Sequence, residues 1–505
     1  MTTSTSLAPA ETPGPPSAGE LPYPQQLHRT MGRFASFAAG FSFISVLTTV
    51  FQLFAFGYGA AGPAFVWTWP AVLAGQLAVA ACFAELAARY PISGAIYQWA
   101  TRLANPVYGW FTGWLMVLGQ VVVVAAAALA LQVVLPALWS GFQLVGGDPS
   151  PTTASGAANA VLLGTALIAL TTLVNAVDNR VLSLVNGVGV TAELAGIVLI
   201  VVLLFTHTEQ PAGAVLHTGH PGGGFWALLV GSFTAAYVMI GFDSAGELSE
   251  ETVAPRRTAP RTILTALAAA GVSGGLLLLG GVLAAPSLTD GRLAAEGLSY
   301  VLTSSLGDGL GRVLLADVAV AVCVGTLAMQ TAGTRMVFSM ARDGALPGAG
   351  RLARVSPGSG MPRWAALAVG APAVGFLLLN LASPAAFLAL SATCVALVYA
   401  AYALVVGAVL ARRLRGLPLG AGEAAGEAGG AGLDEAGRPL FSLGRWGLPV
   451  NALALLYGVA MTINLAWPRA SVYDPEGGHW YLQWFAVLVL AGAVAVGAAY
   501  RLRRR

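Results

Sequence analysis

The chain contains no lysine; all 25 of its basic residues are arginine. Charge of either sign is scarce, at 9% of residues, against about 25% in ordinary soluble domains. That scarcity excludes a water-soluble protein of this size. Its three cysteines, Cys82, Cys323 and Cys394, match no metal spacing and imply no disulfide framework; they read as small buried hydrophobes. No histidine falls within an apolar stretch. His207, His217 and His220 share one polar connection, at a spacing that fits no standard metal motif. A membrane-embedded enzyme would need convergent His, Asp or Glu clusters, and a channel a filter-like repeat; neither pattern is present, and no catalytic residue or metal site is expected. Gly222, Gly223 and Gly224 lack the Lys and the strand–helix setting of a phosphate loop, which argues against direct ATP drive. The arginines are spread over many connections rather than gathered in a patch, so nucleic acid is not an expected partner.

What the chain has is hydrocarbon: 57% hydrophobic residues and a mean hydropathy of +0.75. Such a composition reads as an all-α polytopic membrane protein whose surroundings are the lipid bilayer. Stretches near the ~20 apolar residues needed to span occur at 34–56, 66–88, 107–135, 156–177, 183–206, 225–248, 262–285, 312–338, 363–380, 384–411, 447–466 and 481–500, predicting twelve transmembrane helices. With the N-terminus inside, only Arg292, Arg312 and Arg469 fall on the outer side. The positive-inside bias therefore puts both termini in the cytoplasm. Residues 1–32 are rich in Ser, Thr, Pro and Ala and lack the basic and apolar segments of a signal peptide; they are expected to form a disordered cytoplasmic tail. Residues 412–446 read as a cytoplasmic linker, Gly-, Ala- and Glu-rich and flexible over 417–439. The last two spans lie in 447–500, and 501–505 is a basic cytoplasmic tail.

Connection lengths predict an inverted repeat. Spans 1–5 (about 34–206) and spans 6–10 (about 225–411) match: the second connection of each is long (Arg89–Pro106 and Pro286–Gly311), the third is long, and the fourth has only a few residues. Five spans per unit is odd, so the units sit upside down relative to each other within a core over 33–411. That is a five-plus-five arrangement with a solute site near the midplane.

The sixth span carries the decisive stretch, Tyr237 to Glu251, YVMIGFDSAGELSEE. A charged side chain at the bilayer centre costs at least about 2.5–3.5 kcal/mol. Asp243 and Glu247 inside an apolar run are tolerated only if the helix breaks and its polar groups face a cavity. The matching place in span 1 holds Ser42, Ser45, Thr48, Thr49 and Gln52, hydroxyls able to satisfy an unwound turn. Helices 1 and 6 are both expected to be broken.

Four stretches resemble the amino acid–polyamine–organocation superfamily of permeases, in particular its amino acid/choline transporter branch. They are Ser45-Val-Leu-Thr-Thr; Phe83-Ala-Glu-Leu-Ala-Ala-Arg-Tyr-Pro-Ile-Ser-Gly-Ala-Ile-Tyr-Gln-Trp; Gly241-Phe-Asp-Ser-Ala-Gly-Glu-Leu-Ser-Glu-Glu with Arg257-Thr-Ala-Pro-Arg; and Arg335-Met-Val-Phe-Ser-Met-Ala-Arg-Asp-Gly-Ala-Leu-Pro. The likeness runs from about Phe34 to Tyr402. The chain departs from the family pattern at Thr49, where Gly is usual, and at Gly94-Ala95, where a Gly pair is usual. The resemblance implies a transporter working by alternating access on amino acids, γ-aminobutyrate, choline or polyamines.

A helix N-terminus at the span 1 break presents N–H donors and partial positive charge. Ser45, Leu47, Thr48 and Thr49 are thus candidates for the carboxylate end of a small-molecule substrate. Tyr237, Ile240, Gly241 and Asp243 are candidates for an ammonium, through freed carbonyls and a carboxylate, with Tyr237 also a possible aromatic lid. Glu193 in span 5 is an intramembrane acid and hence a candidate for proton coupling. The alternative, sodium, would draw on oxygens such as those of Thr326, Gln330 and Thr331 in span 8. Asp317 is a second buried acid, nearer the outer surface. No cofactor beyond a coupling proton or sodium ion is implied. Glu85 and Arg89, spaced i, i+4, read as a structural pair or gate contact. Arg335 or Arg342 could pair with Glu247, Glu250 or Glu251 when the inner side closes.

Overall fold

A computed structural model describes residues 29, 31–177, 179–217, 224–356, 359–382, 386–419, 433, 437–474 and 477–503. The expected tail over 1–28 and most of the linker over 417–439 lie outside the described residues, as do His220 and the end of the basic tail. Among the described residues every regular element is helical. In a bilayer no water is available to peptide groups, so an apolar segment must bond to itself from i to i−4.

The chain opens with α1 (Arg33–Ile44) and α2 (Val46–Ala61), then α3 (Thr68–Arg89), the short α4 (Ala95–Leu103) and α5 (Pro106–Leu138). Next come α6 (Ala154–Val177), α7 (Asn179–Thr206), α8 (Gly224–Val238) and the one-turn α9 (Ser244–Glu247). After α10 (Pro255–Leu283), two short helices, α11 (Gly291–Glu296) and α12 (Leu298–Leu306), lead into α13 (Asp308–Arg342). The rest is α14 (Ala349–Leu352), α15 (Arg363–Ala382), α16 (Ala386–Leu414), α17 (Gly447–Ala466), α18 (Ala470–Tyr473), α19 (Trp480–Gln483) and α20 (Phe485–Leu502).

Ten segments are long and apolar enough to cross a membrane, and α8 is a shorter apolar helix. This differs from the twelve expected spans in two places. Arg33–Arg89 forms one helical run holding both 34–56 and 66–88, because a 3-10 turn, Gly62–Trp67, leads from α2 into α3 with no extended loop. The expected span 225–248 does not continue as helix past Val238. At about 1.5 Å per residue α8 reaches only ~22 Å, short of a ~30 Å hydrocarbon core.

Caps and glycines set the entries to these helices. Asn105 Oδ1 accepts from the amides of Val107 and Tyr108 at 3.0 and 2.9 Å, with Pro106 at the first helical position of α5. Asp290 caps α11 through the Arg292 amide at 2.9 Å and accepts from the Tyr300 hydroxyl at 2.8 Å. These two donors hold its carboxyl below the usual aspartate range. The long connections after α3 and after α10 each contain short helices, α4 in one, α11 and α12 in the other.

At the centre α5 packs against α13 and α16. The α1 segment is held by α10, α13 and α7, and α2 lies on α8. α17 and α20 lie at the margin, where Leu456 and Val496 are exposed; such apolar surface on a spanning helix faces lipid.

Candidate functional site

Both interrupted helices lie in the middle of the bundle. The first break is a single residue. Ser45 has φ 41° and ψ 76°, a left-handed conformation between α1 and α2, and for a non-glycine residue this costs roughly 1–2 kcal/mol. Its amide still bonds Phe41 O at 2.8 Å. The second break is longer, running from Met239 to Asp243 between α8 and α9. Gly241 there has φ +91°, and a Cβ on it would stand 1.7 Å from the Phe43 ring. Glycine is therefore required twice over, by its dihedral and by the approach of α1. That contact brings the two breaks together, two residues from Ser45.

Side chains from other helices satisfy several of the freed backbone groups. Gln76 of α3 donates to Met239 O at 2.8 Å. The Gly241 amide donates to the Tyr402 hydroxyl at 3.1 Å, and that hydroxyl in turn donates to Asp243 Oδ1. At the first break Glu193 of α7 does the work. Its Oε1 accepts from the Leu47 amide at 3.3 Å and from Ser45 Oγ at 3.1 Å. The group held at the N-terminus of α2 is thus a carboxyl of the chain itself. Glu193 is buried, and its Oε2 has no hydrogen-bond partner among the described residues.

The other sequence candidates divide into those at the breaks and those away from them. Thr48 bonds Ser45 Oγ at 2.6 Å. Thr49 Oγ1 donates back to Ser45 O at 2.8 Å, bracing the break from within its own helix. Ile240 and Tyr237 are buried beside the break. Tyr237, with Ser391, lines a void of ≈ 10 Å³ that also touches Phe56 and Phe233, room for about one water. Thr326 Oγ1 bonds Val322 O at 2.7 Å within α13. Thr331 Oγ1 bonds Asn175 Oδ1 of α6 at 2.9 Å, and Gln330 bonds Thr171 and Thr172. These last two face α6, not the breaks. Asp317 lies against Gly196 of α7, one turn from Glu193, with Oδ2 unpartnered among the described residues.

Below the second break the acids part company. Arg335 and Glu251 form a buried pair, Nε to Oε1 at 2.8 Å and Nη2 to Oε2 at 3.3 Å. Arg342 grips Glu250 in the same two-pronged way at 2.8 and 3.1 Å. Glu247, grouped with these two in sequence, does something else. It is fully buried and accepts from Gln120 Nε2 of α5 at 3.0 Å. Glu85 pairs with Arg89 at 3.3 Å, and also with Arg413 of α16 and with Ser442. At the other end of α8 a cavity of ≈ 630 Å³ opens between Phe56, Trp226, Val230 and Arg469. Phe56 borders both this cavity and the small void at Tyr237. The arginine pairs follow the C-terminal end of α8, and the cavity lies at its N-terminal end and reaches Phe56.

Sequence reasoning passed over Gln120, Tyr402 and Arg413. The one signal for Gln120 was a lone amide in the run Val117-Leu-Gly-Gln-Val-Val-Val-Val. Tyr402 and Arg413 gave none, since their partners come from packing of distant helices.

A family model described as amino acid permease matches residues 19–493. Amino-acid permease BAT1 of Arabidopsis thaliana is 27% identical over 527 residues, covering 98% of this chain and 96% of that protein. Amino-acid permease 2 of Neurospora crassa is 26% identical over 494 residues, covering 93% and 85%. A methylthioribose transporter of Bacillus subtilis is 28% identical over 353 residues, covering 66% and 73%.

Proposed function

This chain belongs to the amino acid permease family, and from that premise we propose that it is a secondary active transporter moving an amino acid or related amine across the plasma membrane by alternating access, coupled to protons. That it is a multi-pass membrane transporter of amino acids or related solutes follows from the family and its relatives. On this proposal the chain crosses the bilayer twelve times with both termini in the cytoplasm, and the two five-helix units are inverted repeats. The observation that best supports it is the meeting of two broken helices at Gly241 and Phe43. It gathers backbone and carboxylate groups of both breaks at one buried place, as discontinuous helices do at transporter solute sites.

In this reading the substrate's carboxylate binds at Ser45, Leu47, Thr48 and Thr49, and its ammonium at Tyr237, Ile240, Gly241 and Asp243. Glu193 couples the two ligands. While ionised it occupies the Leu47 amide and Ser45 Oγ, two donors a substrate carboxylate needs. A proton on Glu193 weakens that hold and releases them. Proton and substrate are then taken up together, and loss of the proton expels both. Sodium coupling through Thr326 and Thr331 has less support, because Thr331 is engaged with Asn175. The pairs Arg335–Glu251 and Arg342–Glu250, with Glu85 and Arg89, close the cytoplasmic side, and Tyr237 serves as an aromatic lid over the substrate. The test is counterflow in proteoliposomes: preloaded unlabelled amino acid drives accumulation of labelled amino acid through a carrier. No accumulation across a panel of amino acids and amines would refute the proposal.

A further inference from the structure

Resting on the proton-coupled carrier reading above, we propose that Asp317 is the entry point for the coupling proton, taking it from the side where the cavity at Phe56 opens and passing it to Glu193. Asp317 has no part in the substrate site. α13 starts at Asp308, so Asp317 stands about 14 Å in along the helix. Asp308 and Arg312, near that start, are exposed and pair with each other at 3.6 Å. The cavity lies at the same end, since Ala294 of α11 lines it and α11 leads through α12 into α13. Asp317 is partly exposed and Glu193 is buried, so a proton from that side reaches Asp317 first.

Two sets of contacts tie Asp317 to Glu193. A Cβ on Gly196 would stand 1.6 Å from Asp317 Oδ2, and a Cβ on Gly189 would stand 2.3 Å from Val324. α7 and α13 therefore run antiparallel and in contact through this stretch. Glu193 lies inside it, three residues from Gly196 and on the same face of α7. The second link runs through α1. Ser45 Oγ donates to Glu193 Oε1 at 3.1 Å and stands 3.5 Å from Ala321 O, one turn of α13 from Asp317. Each acid keeps one oxygen without a hydrogen-bond partner among the described residues, Asp317 Oδ2 and Glu193 Oε2. These are the atoms at which the two carboxyls hold the proton. Other titratable groups on the surrounding helices are engaged or distant. Arg312 is held by Asp308, Tyr58 by Leu288 O, Tyr300 by Asp290 and Tyr108 by Leu404 O. The thiol of Cys323 lies further along α13. α6 carries no titratable group, and Arg33, Arg256, Arg257 and Arg261 stand at the starts of α1 and α10. Glu247 and Arg102 approach α13 near Gly333 and Ser339, through Gln120 and Gln98; Arg351 and Arg363 are exposed. In the step, Asp317 Oδ2 gives up its proton as Glu193 Oε2 gains one. Asp317 is left a carboxylate that reloads from water, and protonated Glu193 loosens its hold on Leu47 and Ser45.

An entry residue sets how fast the proton arrives; Glu193 decides whether its arrival is coupled to solute. The test uses the full chain in proteoliposomes and one solute that counterflows. It compares the initial rate of uptake driven by a proton gradient with the rate of counterflow at equal pH on both sides. Asp317→Asn should lower that ratio roughly tenfold or more, with slow accumulation still following the gradient. Glu193→Gln should abolish the accumulation itself. Asp317→Glu should restore the ratio. Gly196→Ala, which keeps the acid and displaces it, should lower the ratio as well, and it carries the test if Asp317→Asn does not fold. A ratio unchanged in these variants, including equal falls in driven uptake and counterflow, overturns the relay and leaves Asp317 a packing residue. Complete loss of gradient-driven accumulation in Asp317→Asn also overturns it, by making Asp317 the coupling site. If the unaltered protein exchanges solute and no proton gradient drives it, the relay and the coupling at Glu193 fall and the carrier stands. If no solute exchanges, the carrier reading falls too.

Discussion

At the scale of single residues, Ser45, Gly241 and Glu193 carry the proposed site. Gly241 cannot be replaced quietly. An alanine there combines a left-handed dihedral, at roughly 1–2 kcal/mol, with a Cβ driven 1.7 Å from the Phe43 ring, and overpacking adds about 1–3 kcal/mol. Gly241→Ala should lower thermal stability in detergent clearly below that of Gly59→Ala, whose Cβ would meet nothing within 4 Å. Glu193→Gln mimics the protonated carboxyl, whose weaker hold leaves the Leu47 amide and Ser45 Oγ to the substrate, but it cannot exchange a proton. Counterflow should survive in this variant, and accumulation driven by an imposed proton gradient should vanish. Accumulation that still follows the gradient would remove Glu193 from the coupling. The sequence showed Glu193 as a misplaced acid and Gly241 as a helix breaker, because a charge or a glycine inside hydrocarbon is conspicuous by itself. It could not show that the acid of α7 occupies the anion-binding end of α2. That follows from two helices meeting 146 residues apart in sequence.

At the scale of elements, the interface between α7 and α13 is shaped by a missing side chain. Gly196 leaves room for the Asp317 carboxyl, and a Cβ there would stand 1.6 Å from Asp317 Oδ2. Gly196→Ala must push the carboxyl aside or part the helices, at about 1–3 kcal/mol. The cost should shrink in an Asp317→Ala background, because the clash is then gone. A thermal-unfolding double-mutant cycle reads this coupling directly, and additive effects would show that the two residues do not touch. The break in the sixth helix was legible from Gly241, Asp243 and Gly246 crowded within two turns. The break in the first was only hinted at by hydroxyls, since Ser45 has no intrinsic preference for the left-handed region and is held there by Glu193, Thr48 and Gly325 packed against its side chain. Glu247 was misgrouped with Glu250 and Glu251 for a related reason. Three acids in one polar run look alike in sequence, and only the direction of each turn separates the one facing Gln120 from those facing arginine.

At the scale of the whole molecule, the arginine pairs at one end and the cavity at the other pose a question of populations under the alternating-access proposal. The Arg335–Glu251 pair joins the segment after α9 to α13, two elements that must separate if that end is to open. Removing one partner leaves the other charge buried and alone, a loss of about 3–5 kcal/mol. Removing both replaces an ion pair by neutral groups and is far milder in stability, yet under the alternating-access proposal it also deletes a contact made in only one of two states. Arg335→Met alone should therefore reduce the folded yield, and Arg335→Met with Glu251→Gln should restore it. The restored protein should spend less time hollow toward the cavity at Phe56. A cysteine at Gly59, on the wall of that cavity, reports this population through its labelling rate with a membrane-impermeant maleimide. The native cysteines Cys82 and Cys394 are buried and Cys323 partly so, which keeps their contribution to labelling small. Slower labelling in the double variant is the expected result. Unchanged labelling with restored yield would mean that the pair braces both states equally, and the bias toward the hollow end would have to come from Arg342 and Glu250 or from Glu85 and Arg413.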